Sequence, residues 1–151
     1  MADSIRLNGV LDLRQKIKGF GVAVSKVIKT EIIAATLDIA DQARTNFPTK
    51  VNGVEHFELA KIRQQIGHEF RDNDRTPQGF VFVQVDNTPM AAYIEFGTGA
   101  KVQVPTGYED MAWQFYVNGK GTLPPYPYLI PAYEKGKKAF INSVKNRLSN
   151  L

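Results

Sequence analysis

Two glycine-rich segments, Gly97-Thr98-Gly99-Ala100-Lys101 and Gly119-Lys120-Gly121-Thr122, are the first places where this sequence could do chemistry, because glycine loops cradle phosphates. Neither has the spacing that a phosphate loop needs. A G-x-x-x-x-G-K-[ST] motif ending at Lys120 requires glycine at position 114 and a hydroxyl after the lysine, and the chain has Gln114 and Gly121 there. The two histidines, His56 and His68, stand twelve apart with no G-x-S-x-G nucleophile elbow anywhere. With no cysteine, thiolate zinc sites, disulfides and cysteine nucleophiles are excluded together. Glu109-Asp110 reads as a solvated turn, and Asp72-Asn73-Asp74 lacks the glycine and distal glutamate of a calcium loop. The sequence therefore points to no enzyme, no metal and no cofactor.

What remains is charge and aromatic surface. Net charge is +4, but residues 1–30 carry +4, residues 31–130 carry −4 and residues 131–151 carry +4. That alternation suits association between opposite patches better than dedicated nucleic-acid binding. Lys135, Lys137, Lys138, Lys145 and Arg147 fall on one C-terminal segment, where cations complement a helix dipole; facing DNA is their alternative use. Six rings (Tyr108, Trp113, Phe115, Tyr116, Tyr126 and Tyr128) crowd a stretch rich in glycine and proline. They are either packed back on their own domain or held out as interface anchors.

The elements that position these residues follow from periodicity. Leu13, Ile17, Phe20, Val24, Val27, Ile28, Ile32, Ala35, Ile39, Ala43 and Phe47 recur at helical spacing and predict one long amphipathic helix over about 10–46. Asn8 would cap it, Pro48 would end it, and a break is expected near Gly19 and Gly21. Unbroken, it would run on the order of 55 Å, longer than a domain of this size is wide. The segment from Phe57 to Ile66 reads as a strand or a short helix. Residues 78–86, β-branched and aromatic, predict a strand, and 90–96 a short helix. Ala112–Val117 reads as a strand entering a turn at Asn118-Gly119, inside an arm over about 98–127. Pro131 is expected at the first position of a last helix that runs to about 149. The 151 residues form one α+β domain: long N-terminal and C-terminal helices packed on a small, mostly antiparallel sheet, with an extended arm. Ile39, Val81, Val83, Phe140 and Val144 are its expected core.

Two segments carry a resemblance: Ala92-Tyr93-Ile94-Glu95-Phe96-Gly97-Thr98, and about thirty residues on, Pro125-Tyr126-Pro127-Tyr128-Leu129-Ile130-Pro131-Ala132. Together they resemble the tail-completion or neck proteins of long-tailed bacteriophages, the gene-product-ten-like family. In that family a Y-[VI]-E-F-G-T segment precedes a P-[FY]-L-x-P-A segment opening the last helix. The family's usual T-G-x-L-[RK]-x-S-[IV] segment is replaced here by Asn52-Gly53-Val54 leading into Glu58-Leu59-Ala60-Lys61-Ile62.

The resemblance implies a non-enzymatic structural subunit at the head-to-tail junction of a virion, folded in host cytoplasm and assembled as a ring of six by analogy. Its implied partners are further copies of itself, the tail tube or tail terminator, the head connector and the DNA passing through, with no membrane. It leaves open whether the protein caps the tail, closes the head or bridges them. Tyr93, Glu95, Phe96, Gly97, Thr98, Trp113, Tyr116, Pro127, Tyr128, Leu129 and Pro131 are the implied motif and assembly residues. Tyr93, Phe96 and Leu129 are expected in the core, Gly97 and Gly99 in backbone angles closed to other residues, and Glu95 hydrogen-bonded or paired. The arm is expected to serve assembly and to be dispensable for folding. A small sequence-independent DNA-binding module, with basic first and last helices side by side, is the rival from another class. No run of apolar residues is long enough to cross a membrane, and the N-terminus reads as no signal peptide, so the chain is expected to be made and kept in a cytosol or carried out by something other than a signal peptide.

Overall fold

A computed structural model describes residues 3–6, 21–73, 76–85, 90–115 and 120–151. In chain order the elements are β1 (Asp3–Arg6), α1 (Val22–Asn46), α2 (Phe57–Gln64), β2 (Ile66–Asn73), β3 (Thr76–Val85), α3 (Met90–Phe96), α4 (Glu109–Phe115) and α5 (Leu129–Ser149). A single 3-10 turn, Gly99–Lys101, follows α3. The expected α+β architecture is present. Its sheet has the order β1-β3-β2, and both pairings are antiparallel.

Helix α1 begins after Gly21, which stands at its N-cap. The expected stretch over 10–20, with Asn8 and Gly19, lies outside the described residues. Its other end behaves as proline demands: Phe47, the residue before Pro48, leaves the helix at φ −61° and ψ 131°. The buried stripe Val24, Ile32, Ile39, Ala40 and Ala43 faces the sheet and α5. α1 and α5 run antiparallel, since Arg147 meets Glu31 at one end while Gly136 meets Ile39 nearer the other. At Gly136 a methyl group would fall 2.2 Å from Ile39 Cγ1, so only glycine lets the helices approach this closely. The Arg147–Glu31 ion pair is 2.7 Å long and its carboxylate is buried between the helices.

Strand β3 lies in the middle, with Val83 opposite Ile66 of β2 and Ile5 of β1. Alternation sends Val81 and Val83 into the main core with Ile66. Phe80, on the other face, is buried under the Arg71 guanidinium, 5.0 Å from its ring centroid. Arg44 fixes α1 to β2 by donating from Nε and Nη2 to the Ile66 carbonyl, at 3.2 and 2.7 Å. A second cluster of Ile32, Phe140 and Val144 takes in Phe70 from β2. All five expected core residues, Ile39, Val81, Val83, Phe140 and Val144, are buried.

The structure corrects two expectations about secondary structure. The segment at Ala112 is helical, as α4 spans Glu109–Phe115. Two acids in its first turn favour a helix N-terminus, and Tyr108, Met111 and Ala112 meet the core at three- and four-residue spacing. Tyr116 to Gly119 lie outside the described residues. Pro131 is the third residue of α5, because the helix already starts at Leu129; a proline is tolerated there since first-turn N–H groups have no helical acceptor. Of the two readings open for the Phe57 segment, the structure gives the short helix, α2, and a strand begins at Ile66.

Candidate functional site

The two resembling segments meet in one clasp. After α3 the chain turns at Gly97, runs out through α4, and returns so that residues 123–130 lie against residues 94–98. Thr98 N–H donates to the Leu123 carbonyl, and Leu123 N–H donates back to Thr98 Oγ1, both at 2.9 Å. Tyr126 N–H donates to the Ile94 carbonyl at 2.7 Å, and Gln103 N–H to the Phe96 carbonyl at 2.8 Å.

Gly97 and Gly99 make this path possible. Their φ values are +79° and +56°, where a side chain clashes with its own backbone, as expected from the sequence. A methyl at Gly97 would stand 2.9 Å from the Leu123 carbonyl oxygen, and one at Gly99 only 2.0 Å from that of Gly121.

Glu95 is the centre of the clasp. It is 2% exposed, and its carboxylate faces the start of α5. Oε2 accepts from the N–H groups of Tyr128 and Leu129, both at 2.8 Å, and Oε1 from that of Ile130 at 3.0 Å. The orphan N–H groups of a helix start are thus satisfied by a side chain 33 to 35 residues earlier, and the next residue, Pro131, has no N–H to satisfy. The sequence expectation that Glu95 is hydrogen-bonded holds, with backbone donors as its partners. Burial pushes this carboxyl above its ordinary value of 4.5, against the pull of the Leu129, Tyr128 and Ile130 N–H groups.

Tyr128 completes the centre. Its ring is fully buried, edge-on to Phe47 with centroids 4.7 Å apart, and its hydroxyl donates to the Ala91 carbonyl at 3.2 Å. Burial first, and then the neighbouring Glu95 charge, holds this phenol well above its ordinary value. Phe96 and Leu129 are buried as expected, whereas Tyr93 is half-buried. Gly97 is buried, Thr98 is half-buried, and Pro127 and Pro131 are exposed.

The arm is not loose. Val104, Tyr108, Met111, Leu123 and Tyr126 pack against the main core, and Ala112 is buried in it. The Tyr108 hydroxyl donates to Glu134 of α5, and the Tyr126 hydroxyl accepts from the Asn52 N–H at 2.9 Å. Burial, then the Glu134 bond, raises the Tyr108 phenol. Most of the arm's described rings therefore spend their apolar area on their own domain, which runs against the expectation that the core folds without the arm. Trp113 differs: it is 75% exposed. Tyr116 lies outside the described residues.

Among the described residues no group of three or more His, Asp or Glu side chains is arranged to hold a metal ion, and no helix is long and apolar enough to cross a membrane. Sequence reasoning singled out Glu95 but could not name its partners. It passed over the cleft of about 910 Å³ between the end of α1, the loop over 48–56 and α2, lined by Arg44, His56, Phe57 and Arg63 among others. The signal present was Phe57 at the head of a polar helix. Comparison with protein-family models, with curated proteins and with solved structures finds no match.

Proposed function

We propose that this chain is a structural virion subunit of a tailed bacteriophage or prophage, a tail-completion or head-to-tail joining protein that works in a ring at the neck. The observation that supports this reading is the clasp itself. The two segments that carry the resemblance, residues 92–98 and 125–132, form one unit through Glu95, Thr98 and Tyr128. Glu95 is buried, and both its oxygens are already engaged by three backbone donors, so this acid serves as a fastener. A ring needs subunits that present two different complementary patches, and the +4, −4, +4 division of charge along the sequence is in keeping with that.

The test is native mass spectrometry of the purified chain, alone and with tails or head connectors of the particle that encodes it. Electron microscopy of particles made with and without the protein completes it. Weak association alone, a ring of six at the neck, and unjoined heads and tails in its absence are the expected results. Normally joined particles without it, or a stable two-fold dimer in both settings, would overturn the proposal.

One observation bears on sequence-independent DNA binding as a second reading. The antiparallel packing of α1 and α5 brings Lys26 and Lys29 to the same end of the helix pair as Lys145 and Arg147. Lys29 is paired with Asp72 and Arg147 with Glu31, which reduces the charge free to meet phosphates. A steep fall of DNA affinity with salt for the isolated chain would favour this reading over the first.

A further inference from the structure

Two exposed aromatic side chains lie on separate parts of the fold, each beside a charge of opposite sign. Trp113, 75% exposed, stands on α4 three residues after Asp110, so the two lie on adjoining turns of one helix face. Phe57, 76% exposed, opens α2 at the edge of the 910 Å³ cleft, and Arg63 lines the same cleft. One side of the Phe57 ring is taken by the Lys61 ammonium, 4.6 Å from its centroid.

The other charges nearby are already committed. Arg44 pairs with Asp41, Lys50 with Glu55, and Lys61 with Glu58; on the arm, Glu109 accepts from the Gly107 N–H. The side chains of Arg63 and Asp110 make no hydrogen bond or ion pair with any described residue. None of the cleft's lining residues comes from the arm, so α4 and the cleft are different patches of the same chain.

We propose that Trp113 of one copy seats in the Phe57 cleft of the next copy, with Asp110 against Arg63, as the repeating junction of a self-assembly. The occupant is a second copy of this chain, because the chain carries both halves of the match: an anionic aromatic knob and a cationic aromatic hole. Tryptophan is the strongest type of interface anchor, and a cleft of this size exceeds one indole, leaving room for the turn of helix behind it. Knob and hole lie on different patches, so a contact made once per pair of copies is heterologous and propagates head to tail, closing into a ring when the rotation allows. The junction deepens the ring reading above and rests on it for closure alone.

The test replaces Trp113, the chain's one tryptophan, with the photoreactive aromatic benzoylphenylalanine in the full-length protein. An equal mixture of nitrogen-14 and nitrogen-15 protein, photolysed and analysed by mass spectrometry, separates links between copies from links within one. Links between copies from position 113 to the 56–63 segment are expected. Arg63→Glu should reduce their yield about tenfold, and adding Asp110→Lys to the same chain should restore it. Links confined to one copy, links to any other surface, or none up to the solubility limit would each overturn the junction, as would a charge reversal without effect. Rings seen by microscopy with links elsewhere would leave the ring reading standing without this junction. Cleft links in particles that hold only open chains or closed dimers would keep the junction and remove the ring.

Discussion

Replacing Glu95 with leucine tests the clasp most directly. The side chain keeps its bulk and its place on α3, but the N–H groups of Tyr128, Leu129 and Ile130 lose their acceptor in a site that is 2% exposed. A buried donor left unsatisfied costs about 1–3 kcal/mol, which gives about 3–9 kcal/mol for three of them. Relief from burying a carboxylate offsets part of this, as the upward shift of Glu95 indicates. A net loss of about 3–5 kcal/mol is expected, a large share of the roughly 5–15 kcal/mol that holds a domain together. At this chain length it corresponds to a fall of about 10–15 °C in Tm. Glu95→Gln is the control: its carbonyl can still accept from Tyr128 and Leu129, so only the Ile130 bond is lost and about 1 kcal/mol is expected.

The assay is urea unfolding of the three proteins, with amide hydrogen exchange at residues 128–130. Exchange at Ile130 alone should quicken in the glutamine variant, and at all three amides in the leucine variant. The sign of the pH dependence adds a second check. Because the native carboxyl sits above 4.5, the wild type should lose stability as pH rises from 4.5 toward the raised value, while the glutamine variant lacks that slope. A leucine variant within about 1 kcal/mol of wild type would refute the capping argument.

Three further outcomes are expected. Replacing residues 98–127 by a Gly-Ser linker should abolish the cooperative thermal transition, since it removes buried Ala112 together with Tyr108, Leu123 and Tyr126 from the core; a retained transition at the wild-type midpoint would contradict this. Gly99→Ala should destabilise by more than about 2 kcal/mol in denaturant titration, since φ +56° costs about 1–2 kcal/mol and the methyl meets the Gly121 carbonyl oxygen. In alkali, Tyr108 and Tyr128 hold their protons above the pH at which unfolded tyrosines ionise; stability should fall as pH rises past about 10, with ultraviolet titration showing these phenols ionising only on unfolding.

The sequence by itself determined the elements whose patterns are local and redundant. α1 carries apolar residues on one stripe over several turns, β3 is β-branched and aromatic along its length, and α5 keeps its spacing from Ala132 through Phe140 to Val144. Proline and glycine fixed boundaries through their own backbone, as Phe47 before Pro48 and Gly97 at φ +79° show. β1 and β2 were not legible, because Asp3–Arg6 and Ile66–Asn73 are largely polar and become strands by pairing with β3. α4 was misread for the same reason: seven residues hold too little periodicity, and contact with the core made them helical. Glu95 shows the division within one residue. An acid between Ile94 and Phe96 announced that it needed partners, but those partners are backbone N–H groups, which every residue carries and no sequence marks. Only the return of the chain to the start of α5 decided which of them it would hold.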